Sequence, residues 1–419
     1  MWQTRLACLA GLLAFVGLAW LFSTNRRRFP IRIVAGGILL QLFLAMMVLR
    51  TGWGAYVFEQ LAAGVDALMG FVDQGTGFVF NINPREDDVA ALPPQYALLR
   101  TFAFGVLPTI IFFSALMSML YHIGLMQRIV WLLAWVMQRS LGTSGPETLS
   151  AAANVFVGHT EAPLVVRPYL SRMTRSELNA LMTGGFATVT GGLLGVYSRM
   201  GIDIQHLLTA SVISAPAALL IAKLMVPEES SDSLNRSLQI DSQRTSVNLI
   251  GAAVEGASDG LKLALNVAAM LIAFLALIAL VNAILLRLTG VSLESLLGFV
   301  FSPLAFGMGV PWSESLEAGR LIGLKTVANE FIAYDALGRA KVATAGEAIA
   351  TAEISERTKI VLTYALAGFS NFGAIGIQVG GIGGLEPSRK DDLARLGLRA
   401  MFGGLLACCM TGAIAGLLL

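Results

Sequence analysis

Within eight residues, Asn154-Val-Phe-Val-Gly-His-Thr-Glu161 gathers an amide, an imidazole, a hydroxyl and a carboxylate, in a stretch otherwise apolar enough to lie in lipid. The chain repeats the idea at Asn329-Glu330. Each acidic patch is followed, some tens of residues on, by a hydrophobic segment opening with a Gly-Phe step: Gly185-Phe186-Ala187-Thr188 and Gly368-Phe369-Ser370-Asn371. A carboxylate at membrane depth is costly and survives only where it faces protein, water or a polar ligand. Two such broken units in one chain point to a transporter with its solute site at mid-membrane.

Glu161 and Glu330 are suited to gripping the hydroxyl or amine donors of a neutral polar solute. The competing reading is a pair of structural carboxylates satisfied by helix ends. Asn371 adds both a donor and an acceptor, and Phe369 offers a surface for a planar ring. A sodium ion needs oxygen ligands, and broken helices supply carbonyls freed from the helical ladder. Asn154, Thr188 and the carbonyls of Val157 and Val189 would converge if the first polar tip met the Gly-Phe span. Enzyme chemistry has little to work with. His159-Thr160-Glu161 lacks the spacing and the second histidine of a His-Glu-x-x-His metal site. The glycine runs Gly191–Gly195 and Gly380–Gly384 lack the Gly-Lys-Ser/Thr ending of a phosphate loop.

The elements that must position these groups follow from composition. The 419 residues are 56% hydrophobic and 13% charged, where soluble domains carry about 25% charged residues. Apolar runs of transmembrane length recur throughout, so the fold class is an all-α polytopic membrane protein. A net charge of +2 gives no electrostatic case for nucleic acid. Cys8, Cys408 and Cys409 lie in apolar runs, where cysteine behaves as a small hydrophobe.

Eight spans are expected: Leu6–Ser23, Ile33–Leu49, Phe102–Leu125, Leu178–Tyr197, Leu207–Val226, Gly260–Leu286, Lys359–Val379 and Leu393–Leu419. The charges of the first follow its apolar run, at Arg26-Arg27-Arg28, the reverse of a signal peptide. It reads as a retained helix whose C-terminal end is cytoplasmic. Trp53–Asp73, Met126–Arg139 and Leu293–Phe306 read as interfacial helices, Asn81–Pro94 as a loop and Glu228–Ser246 as a soluble linker. The broken units cover 144–169 and 314–336 as re-entrant helical hairpins, whose tips must be buried in protein or line a cavity.

Both halves run interfacial helix, acidic hairpin, Gly-Phe span and further span, with Gly260–Leu286 between them. An odd number of crossings between equivalent units inverts the second, the inverted-repeat plan of secondary transporters. The chain therefore divides into N-terminal helices 1–125, a first repeat unit 126–226, a linker and long helix 227–289, and a second repeat unit 290–419.

At these motifs the chain resembles the concentrative nucleoside transporter family. The matching stretches are Gly158-His-Thr-Glu-Ala-Pro-Leu164, Met182-Thr-Gly-Gly-Phe-Ala-Thr188, Gly323-Leu-Lys-Thr-Val-Ala-Asn-Glu-Phe331, Gly368-Phe-Ser-Asn-Phe372 and Gly380-Gly-Ile-Gly-Gly384. The resemblance implies a homotrimer of eight-helix protomers, each with a scaffold (1–125 and 227–289) and a mobile transport domain (the two repeat units). It implies symport of a nucleoside, with sodium in most members and protons in some. By position, His159, Thr160, Glu161 and Leu193 would face the nucleobase. Glu330 and Asn371 would hold the ribose, with Phe369 nearby. Asn154, Val157, Thr188 and Val189 match the family's sodium site. His159 stands where the family usually has Gln, and Ala374 where a Ser usually helps hold the ribose.

The expectation is a sodium-coupled nucleoside importer of the bacterial inner membrane, not an enzyme, with no cofactor beyond sodium as coupling ion. Its partners would be nucleoside, sodium, the lipid bilayer and two further copies of itself. Proton coupling, or another small polar solute, is the alternative.

Overall fold

A computed structural model describes residues 2–80, 102–159, 161–229, 246–342 and 354–419. The expected loop Asn81–Pro94 and most of the linker Glu228–Ser246 lie outside the described residues. Among the described residues all regular structure is helical.

The N-terminal part contains α1 (Trp2–Leu21), α2 (Ile31–Arg50), α3 (Gly52–Phe80), α4 (Leu107–His122) and α5 (Leu125–Leu141). The first repeat unit follows with α6 (Gly145–Ala153), α7 (Ala162–Val165), α8 (Arg175–Ala187), α9 (Leu194–Arg199) and α10 (Ile204–Met225). Then come the 41-residue α11 (Leu249–Thr289) and α12 (Leu293–Gly307). The second unit has α13 (Trp312–Val327), α14 (Glu330–Val342), α15 (Glu356–Leu366), α16 (Phe372–Leu385) and α17 (Lys390–Leu418). The order hairpin, interrupted helix, long helix thus occurs twice: α6–α7, α8–α9, α10, and α13–α14, α15–α16, α17.

Among the described residues eight helical stretches are long and apolar enough to cross a membrane, so the protein is a multi-pass membrane protein. The eight differ from the expected set in one member. Gly52–Phe80, read as interfacial from its Trp53, Tyr56 and Glu59, is one continuous helix of 29 residues and passes the length and hydropathy test. Lys359–Val379, read as one span, is instead broken between Leu366 and Phe372. Leu178–Tyr197 is likewise interrupted over 188–193. The arms of the hairpins also run further than expected, to 145–172 and 312–342.

The two interruptions lie against one another in the buried interior. A Cβ on Gly368 would lie 2.7 Å from Phe186 O and 2.9 Å from Ala187 C, so only glycine allows this approach. Gly404 of α17 makes the same kind of contact with Phe186 and Ala187. Beside them, Cys408 Sγ donates to Ala187 O at 3.6 Å and to Ala367 O at 3.4 Å. One thiol therefore serves a carbonyl at each break. Between apolar helices in lipid, small residues and close backbone contact hold helices together more than hydrophobic burial does. That explains why α17 is buried over most of its length and lies against α8, α10, α15 and α16. The opposite extreme is α11, which runs along α4 and leaves its apolar surface exposed, as lipid or another protein surface requires.

Candidate functional site

The first hairpin tip is built by an early helix stop. Helix α6 ends at Ala153, non-helical turns follow from Asn154, and α7 restarts with Pro163 in its first turn, where the missing N–H costs least. Glu161 N and Ala162 N both donate to Gly158 O at 3.0 Å, closing the turn. Gly191 N donates to Phe156 O at 2.8 Å, which docks the tip on the break after α8. At the base of the hairpin Lys223 Nζ pairs with Glu147 Oε2 at 2.6 Å and Glu228 Oε2 at 3.0 Å. Glu147 also accepts from Ser144 N at 2.7 Å, so this buried pair fixes both the helix start and its place against α10.

The tip's side chains do not share one environment. His159 packs edge-on against Phe369, ring centroids 4.6 Å apart at 65°, which joins the first hairpin to the second interrupted helix. Both its ring nitrogens are buried without a hydrogen-bond partner among the described residues. Thr160 lies outside the described residues. Glu161 is exposed, with the backbone of Gly158 within hydrogen-bonding reach of its carboxylate. Leu193 is buried in the short turn Gly191–Leu193.

Glu330 occupies the opposite kind of place. It opens α14, where the unpaired N–H groups of the first turn favour a negative charge, and the preceding Asn329 accepts from Ile332 N at 3.0 Å. Its side chain is 1% exposed. Asn371 Nδ2 donates to Glu330 Oε2 at 3.3 Å, and Tyr197 OH donates to Oε1 at 3.4 Å. Asn371 is itself fixed as the N-cap of α16, its Oδ1 accepting from Ala374 N at 2.8 Å. Tyr197 is held by Tyr334 and Phe331, at centroid distances of 4.6 and 5.4 Å. Lys325, fully buried, donates to Ala365 O at 2.9 Å near the end of α15, where carbonyls lose their helical partners. The carboxylate thus sits in a frame drawn from α9, α14 and α16.

The ion-ligand candidates also meet. Asn154 is 1% exposed, with neither amide atom hydrogen-bonded among the described residues. A Cβ on Gly184 would lie 3.0 Å from Asn154 Nδ2, and Thr188 Oγ1 donates to the carbonyl of that same Gly184 at 2.9 Å. Val157 and Val189 are buried in non-helical backbone beside them. Amide, hydroxyl and carbonyl oxygens without an acid suit a monovalent cation in place of a strongly charged metal. Among the described residues no group of three His, Cys, Asp or Glu could hold a metal.

Sequence reasoning missed Tyr197 and Gln378. In the residue order Tyr197 is simply the last residue of an apolar span. Gln378 is the only polar side chain of α16, two turns beyond Asn371, a spacing that places both on one face. Two surface hollows, one lined by Asp203, His206 and Lys359 and one by Glu59, Asp66 and Ser198, lie at the α9–α10 turn and away from the hairpin tips.

Known proteins match along the whole chain. Residues 10–82 and 206–416 match the N- and C-terminal parts of the Na+ dependent nucleoside transporter family, and 103–203 a family described as nucleoside recognition. An uncharacterized transporter of Bacillus subtilis, YutK, is 43% identical over 98% of each chain. The sodium/nucleoside cotransporter 1 of Rattus norvegicus is 40% identical over 99% of this chain. Human solute carrier family 28 member 3 is 41% identical over 99% of this chain. The chain spans only 64% and 60% of these last two, so the animal relatives are longer. Among solved structures, CNTnw in an inward-facing substrate-bound state superposes with a TM-score of 0.91 at 41% identity, covering 99% of this chain and 98% of that one. An outward-facing double variant of CNTnw gives 0.92 at 39% identity, covering 100% and 98%. The relatives are transporters and not enzymes, and this chain belongs to the concentrative, Na+ dependent nucleoside transporter family.

Proposed function

We propose that this protein is a sodium-driven nucleoside symporter of a bacterial inner membrane, working as a homotrimer. The observation that carries the reading is the buried Glu330 carboxylate, held by Asn371 and Tyr197, with the two helix breaks packed against each other. In this reading Glu330 and Asn371 accept from and donate to ribose hydroxyls, with Phe369 beside the sugar. His159, Thr160, Glu161 and Leu193 surround the base. Sodium is held by Asn154, Thr188 and the carbonyls of Val157 and Val189. The near-full-length match to Bacillus subtilis and Haemophilus influenzae transporters supports the bacterial setting, and the apolar face of α11 supports a partner copy beyond lipid. Residues 126–226 and 290–419 form the moving domain in this reading, and 1–125 with 227–289 the scaffold.

Coupling follows from shared contacts. The tip that carries His159 is pinned through Phe156 to the break that carries Thr188. An ion that orders Asn154 and Thr188 therefore orders the base end as well, so both ligands favour the same state. One sodium ion moving down a potential of ~100 mV releases about 2.3 kcal/mol, enough for roughly 50-fold accumulation of a neutral solute.

The test is uptake of labelled nucleosides into proteoliposomes under an imposed sodium gradient, an imposed proton gradient, or neither. Sodium-dependent accumulation is expected. Accumulation driven by protons alone would overturn the ion assignment, and absence of uptake for every nucleoside would overturn the solute class.

A further inference from the structure

Helix α16 begins at its cap Asn371, and residues at 371, 374 and 378 fall on one face. The last of these, Gln378, is 1% exposed, and neither its Oε1 nor its Nε2 has a hydrogen-bond partner among the described residues. A buried amide that the fold does not satisfy is costly and calls for an explanation. Its neighbourhood supplies one. A Cβ on Gly185 would lie 2.9 Å from Gln378 Nε2 and 2.6 Å from His159 Cβ, so both side chains crowd the same glycine of α8. The His159 ring nitrogens are buried and unpartnered as well, and Phe369 lies against that ring. Two side chains whose polar heads have no partner among the described residues thus converge on Gly185.

The chemistry of the two heads is complementary. A neutral imidazole offers one donor and one acceptor on different edges, whereas an amide offers a donor and an acceptor side by side. Side-by-side donors and acceptors are what the hydrogen-bonding edge of a nucleobase presents, in an order that differs from base to base. We propose that Gln378 contacts the nucleobase edge and, together with His159, sets which base is preferred; this rests on the nucleoside reading above. Gly185 is then required for space, because any side chain there would run into the Gln378 amide or the His159 Cβ.

The experiment compares wild type and Gln378→Met in proteoliposomes, with apparent affinities for uridine, cytidine, inosine and adenosine measured at saturating sodium. Methionine keeps the length of the side chain and removes both amide groups. The expected result is a reordering among bases, with at least one pairwise affinity ratio shifting about tenfold, while the penalty for removing a ribose hydroxyl stays as in wild type. Gln378→Glu, which keeps the acceptor and removes the donor, should shift the ratios in a different pattern. A uniform change across all four nucleosides, or no change, overturns the proposal. So does a Gln378→Met protein that cannot be purified folded, because the amide has no hydrogen bond among the described residues for the fold to lose. If wild type transports none of the four, it is the nucleoside reading that has failed, whatever the variants do.

Discussion

The two hairpins carry the same device, a polar turn ending in glutamate, yet the structure treats them oppositely. Glu330 is buried and bonded to two helices outside its own hairpin, while Glu161 is exposed and the nearby His159 ring nitrogens have no hydrogen-bond partner among the described residues. The difference comes from how each tip is made. The second hairpin breaks for only two residues, so Glu330 falls in the first turn of α14 and is presented directly to Asn371. The first is a longer break, and among the described residues neither the His159 ring nitrogens nor the Asn154 amide has a hydrogen-bond partner. A group already held in place binds without further ordering, which favours affinity. Unsatisfied groups accept only a ligand that satisfies them, which favours discrimination. In the proposed reading one end of the site holds the solute and the other chooses it.

The largest expected effect lies at the holding end. Glu330→Gln keeps the shape, removes the charge and should lower uptake about a hundredfold, since hydrogen bonds to charged groups are the strong ones. Its melting temperature should stay within a few degrees of wild type. Near-normal uptake by that variant would take Glu330 out of the site and dissolve the contrast. A second break-point is the ion. Asn154→Ala should raise the sodium concentration for half-maximal uptake by about tenfold, leaving nucleoside affinity at saturating sodium nearly unchanged. An unaltered sodium curve would separate Asn154 from the ion. The smallest effect belongs to Tyr197→Phe, which removes one 3.4 Å hydrogen bond from Glu330. Apparent affinity should fall about threefold for every nucleoside alike. A change in base preference from that variant would mean that the holding and choosing ends are not distinct.

Much of this was legible in the residue order, and the misses have a common cause. A polar, glycine-containing turn in an apolar run cannot sit in lipid, so both hairpin tips could be located from residue types alone. The Gly-Phe steps were legible as landmarks but not as breaks. Apolar composition is the same for a continuous helix and an unwound one; what unwinds 367–371 is the close approach of Gly368 to Phe186 and Ala187, a contact between distant parts of the chain. The same blindness hid Tyr197 and Gln378, whose significance lies in what they face across the break. Trp53 and Tyr56 misled in the other direction: interfacial residue types begin a helix that then continues to Phe80. Exposed Trp131 and Trp135 on α5, with Arg139 over the Trp135 ring, keep the pattern that suggested an interfacial helix.

The most direct test of the division between the two ends is a ratio. For whichever nucleoside is taken up, uptake should be compared with that of its 3′-deoxy analogue, in wild type and in Glu330→Gln. Wild type should discriminate strongly, and the variant's ratio should collapse toward one while its preference among bases persists. An unchanged ribose ratio, or a base preference lost together with it, would contradict the account.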